Sequence, residues 1–171
     1  MSTAVRVNTS VYAVTHIVGN IGMGLKRLVS GCGLDAAAIT RSWITTENAV
    51  ATWLRSGHLR TVTLEVWDPA TSDTALAGRF DFDIDYDYYA DGDGALWMDT
   101  GYVNSVIRKS GAVPSQCSYR VVCSVAPGSP EVPGWGDTTL RSTAGMRRHS
   151  TGTTMGGGSL GAGLAYWKAA S

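Results

Sequence analysis

The sequence predicts an α+β domain in which three helices pack on an antiparallel β-sheet. Two observations carry that prediction. Apolar residues recur at helical spacing through the first third of the chain, and the period then drops to two in a pair of runs separated by turn residues. A third observation sets the scale: 171 residues, 44% hydrophobic and 16% charged, are enough for one domain with a true core and globular in composition.

The first helix comes from "NTSVYAVTHIVGNIGMGLKRLVSGCG". Val11, Val14, Val18, Ile21, Leu25, Leu28 and Cys32 form one apolar stripe, with Asn8, Thr9 and Ser10 as candidate caps and Gly31 or Gly33 as the stop. The stripe could be a coiled-coil seam. Gly19, Gly22 and Gly24 each cost up to ~1 kcal/mol in helix propensity, so they point instead to close packing inside a domain. "DAAAITRSWITTENAVATWLRSG" predicts a second helix, capped by Asp35, lined by Ile39, Trp43, Val50, Trp53 and Leu54, and ended by Gly57. In "LRTVTLEVW" Val62, Leu64 and Val66 take one side of a strand and Thr61, Thr63 and Glu65 the other. "DPATSD" is a turn by composition, and the aspartate-rich run after it is the expected hairpin partner. A third helix is expected in "MDTGYVNSVIRKSG", capped by Asp99 or Thr100, with Val103, Val106 and Ile107 inward and Gly111 closing it. "CSYRVVCSV" then makes a strand, and from Pro127 onward regular periodicity stops, which predicts a long irregular C-terminal arm.

Charge and composition exclude several function classes. Fourteen basic and fourteen acidic residues cancel, so no bulk field favours direct nucleic-acid binding or an anionic membrane. "VYAVTHIVGNIGMG" is too broken to be a signal peptide, and no run approaches the ~20 apolar residues of a membrane span. Cys32, Cys117 and Cys123 are odd in number and lack CxxC spacing; in one strand, the latter two would stand ~20 Å apart, beyond disulfide reach. A reduced, cytoplasmic protein is expected.

The sequence carries no convincing catalytic, cofactor or metal site. In "FDFDIDYDYYADGDG", Asp81, Asp83, Asp85 and Asp87 would stand ~6.7 Å apart along one strand face. A straight row cannot converge on one calcium, whose ligand oxygens must lie within ~2.6 Å, so a solvated face is expected. "DGDG" at 91–94 has turn chemistry. Gly157-Gly158-Ser159-Leu160-Gly161 matches G-x-S-x-G, but a nucleophile elbow needs a helix after it and acid and histidine partners, and none follows. Gly156, Gly158 and Gly161 match G-x-G-x-x-G without the βαβ unit a dinucleotide needs. His16, His58 and His149 are scattered. A small Ser- or metal-dependent hydrolase is thus a rival reading, as is a structural oligomerising domain assembled through the helix at 11–32.

The C-terminal arm is not plain linker. Trp135, Leu140, Met146, Met155, Leu160, Leu164, Tyr166 and Trp167 need somewhere to be buried, while the glycines among them permit close backbone approach. Such a segment suits either a mobile clasp or a packed irregular arm. Arg141, Arg147, Arg148 and His149 make it locally basic, and an attraction to the aspartate strand, within the chain or on a partner, follows.

Five pieces in order, "SGHLRTVTLEVWDPAT", "DFDIDYDYYADGDGALWMDT", "GAVPSQCSYRV", "PGSPEVPGWGDTTLRSTAGM" and "SLGAGLAYWK", resemble the bacterial HORMA-domain proteins of cyclic-oligonucleotide antiphage signalling systems (CBASS). The resemblance implies a single HORMA domain over 1–171: a flexible N-terminal arm at 1–9, a core at 10–133 and a "safety belt" at 134–171 that wraps a closure-motif peptide. It implies that the peptide adds as a strand beside residues 118–125, with Tyr119, Arg120, Val121, Val122, Trp135, Tyr166 and Trp167 as peptide-binding residues. An AAA+ remodelling ATPase would grip Ser2, Thr3, Ala4, Val5 and Arg6. The peptide-bound form would bind and activate a cyclic-oligonucleotide synthase (CD-NTase). The protein itself would be no enzyme and would need no cofactor or metal.

Overall fold

The computed structural model describes residues 9–71, 75–87, 96–111 and 113–170. Among them the elements run α1 (Thr9–Gly31), α2 (Ala37–Arg41), α3 (Trp43–Arg55), β1 (Leu59–Trp67), β2 (Gly78–Asp85), β3 (Trp97–Met98), α4 (Tyr102–Ser110), β4 (Ser118–Val125), β5 (Met146–Gly157) and β6 (Leu160–Ala169). The six strands form one antiparallel sheet in the order β3-β5-β6-β2-β1-β4.

The helices cover one face of this sheet. Val14, Val18, Ile21, Leu25 and Leu28 of α1, with Cys32 just after it, are all buried, and they share a core with Val62, Leu64, Phe80, Phe82 and Leu164 from the sheet. The heptad stripe is therefore the seam between α1 and its own domain, and the coiled-coil reading falls away. Gly22 and Gly24 serve the packing expected of them. A Cβ on Gly22 would lie 2.2 Å from Trp43, whereas one at Gly19 would meet nothing within 4 Å. Gly22→Ala is expected to destabilise the domain by about 1–3 kcal/mol through displacement of the Trp43 ring, and Gly19→Ala to be neutral or stabilising. Urea melts of the two variants check the contrast.

The second predicted helix is broken at Ser42, which sits at φ −91°, ψ 2° between α2 and α3. Its hydroxyl donates to Ala38 O at 3.1 Å, the back-bonding that bends a helix. Asp35 Oδ1 accepts from Ala37 N–H at 2.9 Å, and Gly57, at φ +77°, stops α3. β1 and β2 pair as expected, with Val62 opposite Phe82 and Leu64 opposite Phe80. Asp99 Oδ1 accepts from Gly101 N–H at 2.9 Å where α4 begins. The candidate cap Asn8, the "DGDG" turn and the arm residues Ser2, Thr3, Ala4, Val5 and Arg6 lie outside the described residues.

Two expectations are corrected. The C-terminal arm is not irregular throughout: β5 and β6 form a hairpin whose inner strand, β6, pairs with β2. Glycine has no side chain to mark a face, and register shifts between Ser150 and Met155 break the period of two, so the pattern left no trace in the sequence. The aspartate face is not simply solvated either. Asp85 is exposed, but Asp81 is only 3% accessible. Asp81 accepts from Thr63 Oγ1 at 2.8 Å, Arg79 Nε at 2.9 Å and Trp167 Nε1 at 2.9 Å. Arg148 of β5 pairs with Asp83 and lies 3.9 Å from Asp81. The attraction between basic tail and acidic strand thus operates within the chain, through Arg148.

Ser159 occupies a two-residue hairpin turn: Gly157 pairs with Leu160, and Gly158 takes φ +59°. A strand, not a helix, follows it, so the elbow geometry that would activate a serine is not built here. Among the described residues no group of His, Cys, Asp or Glu is arranged to hold a metal ion, and no helix is long and apolar enough to cross a membrane.

Candidate functional site: a roofed channel along a sheet edge

β4 pairs with β1 along one edge, and no described strand pairs with the other. Free edges are sites where an extended chain can add. Here the edge is neither blunted nor left open. After Val125 the chain turns back and runs over it, so that residues 129–140, β4, α2 and α3 together line a half-open channel of about 1470 Å³.

Each wall follows from local structure. Alternation along β4 sends Tyr119, Val121, Cys123 and Val125 toward the helices and Arg120 and Val122 toward the opposite face, where they align with Glu65 and Thr63. Tyr119 ties β4 to α2, its hydroxyl donating to Asp35 O at 2.7 Å and accepting from Ile39 N–H at 3.2 Å. Ile39, Thr45 and Thr46 line the helical side. Trp53 Nε1 donates to Pro130 O at 2.7 Å and its ring meets Trp135 edge-on, 5.4 Å between centroids. The roof is thus pinned to α3 by an indole pair.

A second pin holds the roof where it leaves the channel. Glu65, in the middle of β1, is fully buried. Its Oε1 accepts from Arg120 Nε at 2.6 Å and from Arg141 Nη1 at 2.9 Å, and its Oε2 accepts from the Arg141 backbone N–H at 2.7 Å. Arg120 spends its remaining bonds on the roof, Nη1 to Thr138 Oγ1 at 2.9 Å and Nη2 to Thr139 O at 2.7 Å. The Arg141 guanidinium sits over Trp67, its Cζ 3.6 Å from the ring centroid. One carboxylate therefore binds the edge strand and the segment crossing it together.

Of the seven residues expected to bind a peptide, Tyr119, Arg120, Val121, Val122 and Trp135 line the channel. Tyr166 and Trp167 lie on β6, opposite Phe80 and Arg79 of β2, where Tyr166 is buried and stacks on His149. The chain over the channel begins at Ser129, upstream of residue 134. Sequence reasoning missed Glu65, Ile39, Trp53 and Pro130 as parts of the site. The sequence offered no signal for Glu65, which alternates with Leu64 and Val66 as a solvent-facing residue would.

Burial pushes the Cys123 thiol from its ordinary value of 9.0 up to about 12, and Cys32 up to about 11. Thiolate is the reactive form, so alkylation of Cys123 at about pH 8 is expected to run about 1,000-fold slower than for a free thiol and to accelerate with rising pH. Mass spectrometry after iodoacetamide labelling checks this, and since Cys123 lines the channel, an occupant should slow it further.

Helices on one face of an antiparallel sheet, a C-terminal hairpin carried to the far side of β2, and a connecting segment that roofs the free edge of β4 together define a HORMA-type domain. The chain belongs to the family described as "Bacterial HORMA domain 2", whose model matches residues 2–170. Among solved structures, it is similar to the E. coli MS115-1 CdnC:HORMA-deltaN complex, with 11% identity, a TM-score of 0.64 and coverage of 99% of this chain and 94% of that one. It is also similar to a chain of the mitotic checkpoint complex (9% identity, TM-score 0.58, 79% and 75% covered). C. elegans HTP-2 bound to the HIM-3 closure motif gives 13% identity, a TM-score of 0.50 and coverage of 78% and 68%. At these identities the likeness establishes the fold. No curated protein sequence matches the chain.

Proposed function

We propose that this domain is a peptide sensor with no catalysis of its own. An extended closure-motif peptide adds to the outer edge of β4 and is held there by the roof at 129–140. In that state the domain binds and activates a cyclic-oligonucleotide synthase in antiphage defence. An AAA+ ATPase pulling on Ser2, Thr3, Ala4, Val5 and Arg6 would reopen it. The observation that carries this reading is the free edge of β4 lying beneath a roof of the protein's own chain, with room for a strand between them. Main-chain hydrogen bonds to such an edge supply affinity and the channel walls supply selection. The structures of HTP-2 with a closure motif and of CdnC with a HORMA protein support the two partner classes.

Hydrogen exchange tests the peptide step. Co-expression with a peptide library, followed by isolation of the loaded domain, should slow exchange at alternate amides of β4 while leaving β3 unchanged. Unchanged β4 exchange in a domain that retains peptide would move the binding site elsewhere. Synthase activation is tested by adding loaded and unloaded domain to a cyclic-oligonucleotide synthase; equal activity with both would remove the sensor role.

A further inference from the structure

Three charged side chains line the channel, Arg120, Glu131 and Asp137. Three N–H groups of Arg120 are already committed to Glu65, Thr138 and Thr139. The second arginine on Glu65, Arg141, is stacked on Trp67 and is not part of the channel wall. Among the described residues, Glu131 and Asp137 have neither an ion pair nor a hydrogen-bond partner, and both are exposed. Arg120 and Arg141 share Glu65, which leaves that cluster one positive charge against the two negative charges of Glu131 and Asp137, so the net charge around the channel is negative. Apolar side chains of the channel include Ile39, Val122, Trp53 and Trp135, beside the hydroxyls of Ser42, Thr45, Thr46 and Ser124.

The roof also holds an unmet donor. Trp135 Nε1 is buried without an acceptor among the described residues, whereas the neighbouring Trp53 Nε1 has Pro130 O. A buried N–H left unpaired is costly, and a shift of the roof around an occupant that admits an oxygen to this indole would relieve that cost.

Resting on the peptide-binding reading above, we infer the chemistry of the peptide: an extended segment with an apolar side chain against Trp53 and Trp135, flanked by lysine or arginine that meets Glu131 and Asp137. Its oxygen, from a main-chain carbonyl or a hydroxyl or amide side chain, accepts the Trp135 indole N–H. Strand geometry places side chains on alternate sides, so the apolar and basic positions are specified separately. Exposed ion pairs are individually weak, and two of them favour a dibasic over an otherwise identical diacidic peptide by roughly tenfold at low salt, since attraction is exchanged for repulsion. That preference fades at high salt.

The test is a two-hybrid selection of random ten-residue peptides co-expressed with the full-length domain, so that the roof can close around each peptide as the domain folds. It is run in parallel on the wild-type domain and on the Glu131→Gln, Asp137→Asn double variant. The expected result is enrichment of basic residues at fixed spacing from an apolar one, lost in the double variant while the apolar preference persists. Enriched peptides without basic bias, or with acidic bias, overturn this inference and leave the peptide-binding reading standing. No enriched peptide with either protein overturns both. As a second readout, a bound wild-type peptide should shift the indole N–H resonance of Trp135, assigned with Trp135→Phe, downfield and slow its exchange. An unmoved resonance refutes the acceptor.

Discussion

Replacing Glu65 by alanine is expected to cost about 3–5 kcal/mol of unfolding free energy, the range for removing one partner from a buried ionic cluster. The carboxylate is fully buried and serves three donors at 2.6–2.9 Å. Its loss strands the Arg141 backbone N–H and leaves two guanidinium groups on an apolar strand. Arg120 keeps 30% of its side-chain accessibility and Arg141 16%, so water recovers part of the loss, and the lower end of the range is the better expectation. The more telling effect is local. Glu65 is the point at which β1 grips both the edge strand and the segment crossing it, so the variant should show fast hydrogen exchange over 134–145 under conditions where α1 and β2 stay protected. Uniform loss of protection would mean that Glu65 supports the fold at large and does not act as a fastening for the roof. A double-mutant cycle with Arg141→Ala measures the coupling directly.

Much of the fold was legible because its elements obey simple periodicities. The stripe on α1, the alternation of β1 and β2, and the glycine stops at Gly57 and Gly111 each follow from one local rule, and tertiary packing agrees with all of them. The break at Ser42 was not legible, since serine in mid-helix carries no fixed signal until its hydroxyl finds the carbonyl of Ala38. The hairpin of β5 and β6 was invisible for a different reason. Its glycines satisfy the close approach of strands without marking which face is buried.

The candidate site divides along the same line. The strand at 118–125 and Trp135 could be singled out from residue type and family resemblance, because an edge strand and an aromatic in a glycine-rich arm are local features. Glu65 could not. On β1 it alternates with Leu64 and Val66 like any solvent-facing residue, and only the return of residues 138–141 across the sheet buries it. Asp81 repeats the lesson: its burial depends on Trp167, 86 positions away in sequence. Polar residues whose partners arrive from the far end of the chain are the ones a periodicity argument assigns to water.

That dependence on the C-terminal hairpin makes Gly163 the second critical position. A Cβ there would stand 2.3 Å from the carbonyl oxygen of Gly152 and 3.0 Å from its carbon, both backbone atoms that cannot rotate aside. Gly152 is itself held at φ +76°, within the stretch where β5 shifts register against β6. Gly163→Ala is therefore expected to cost about 3 kcal/mol, at the upper end for an overpacked site, since relief demands a backbone shift in the bulge. β6 is the strand between β5 and β2, so the damage should spread outward from it: the pairing of Arg148 with Asp83 and of Trp167 with Asp81 should loosen. The helical core from α1 to α4 should retain its far-ultraviolet dichroism. If the hairpin is what secures the roof, Gly163→Ala and Glu65→Ala should both release residues 134–145 in hydrogen exchange, and a retained peptide should be lost faster from either. Should Gly163→Ala melt with the wild-type midpoint and hold peptide as firmly, the bulge would have to be more compliant than its geometry implies, and the roof would owe its hold to Glu65 and the indole pair alone.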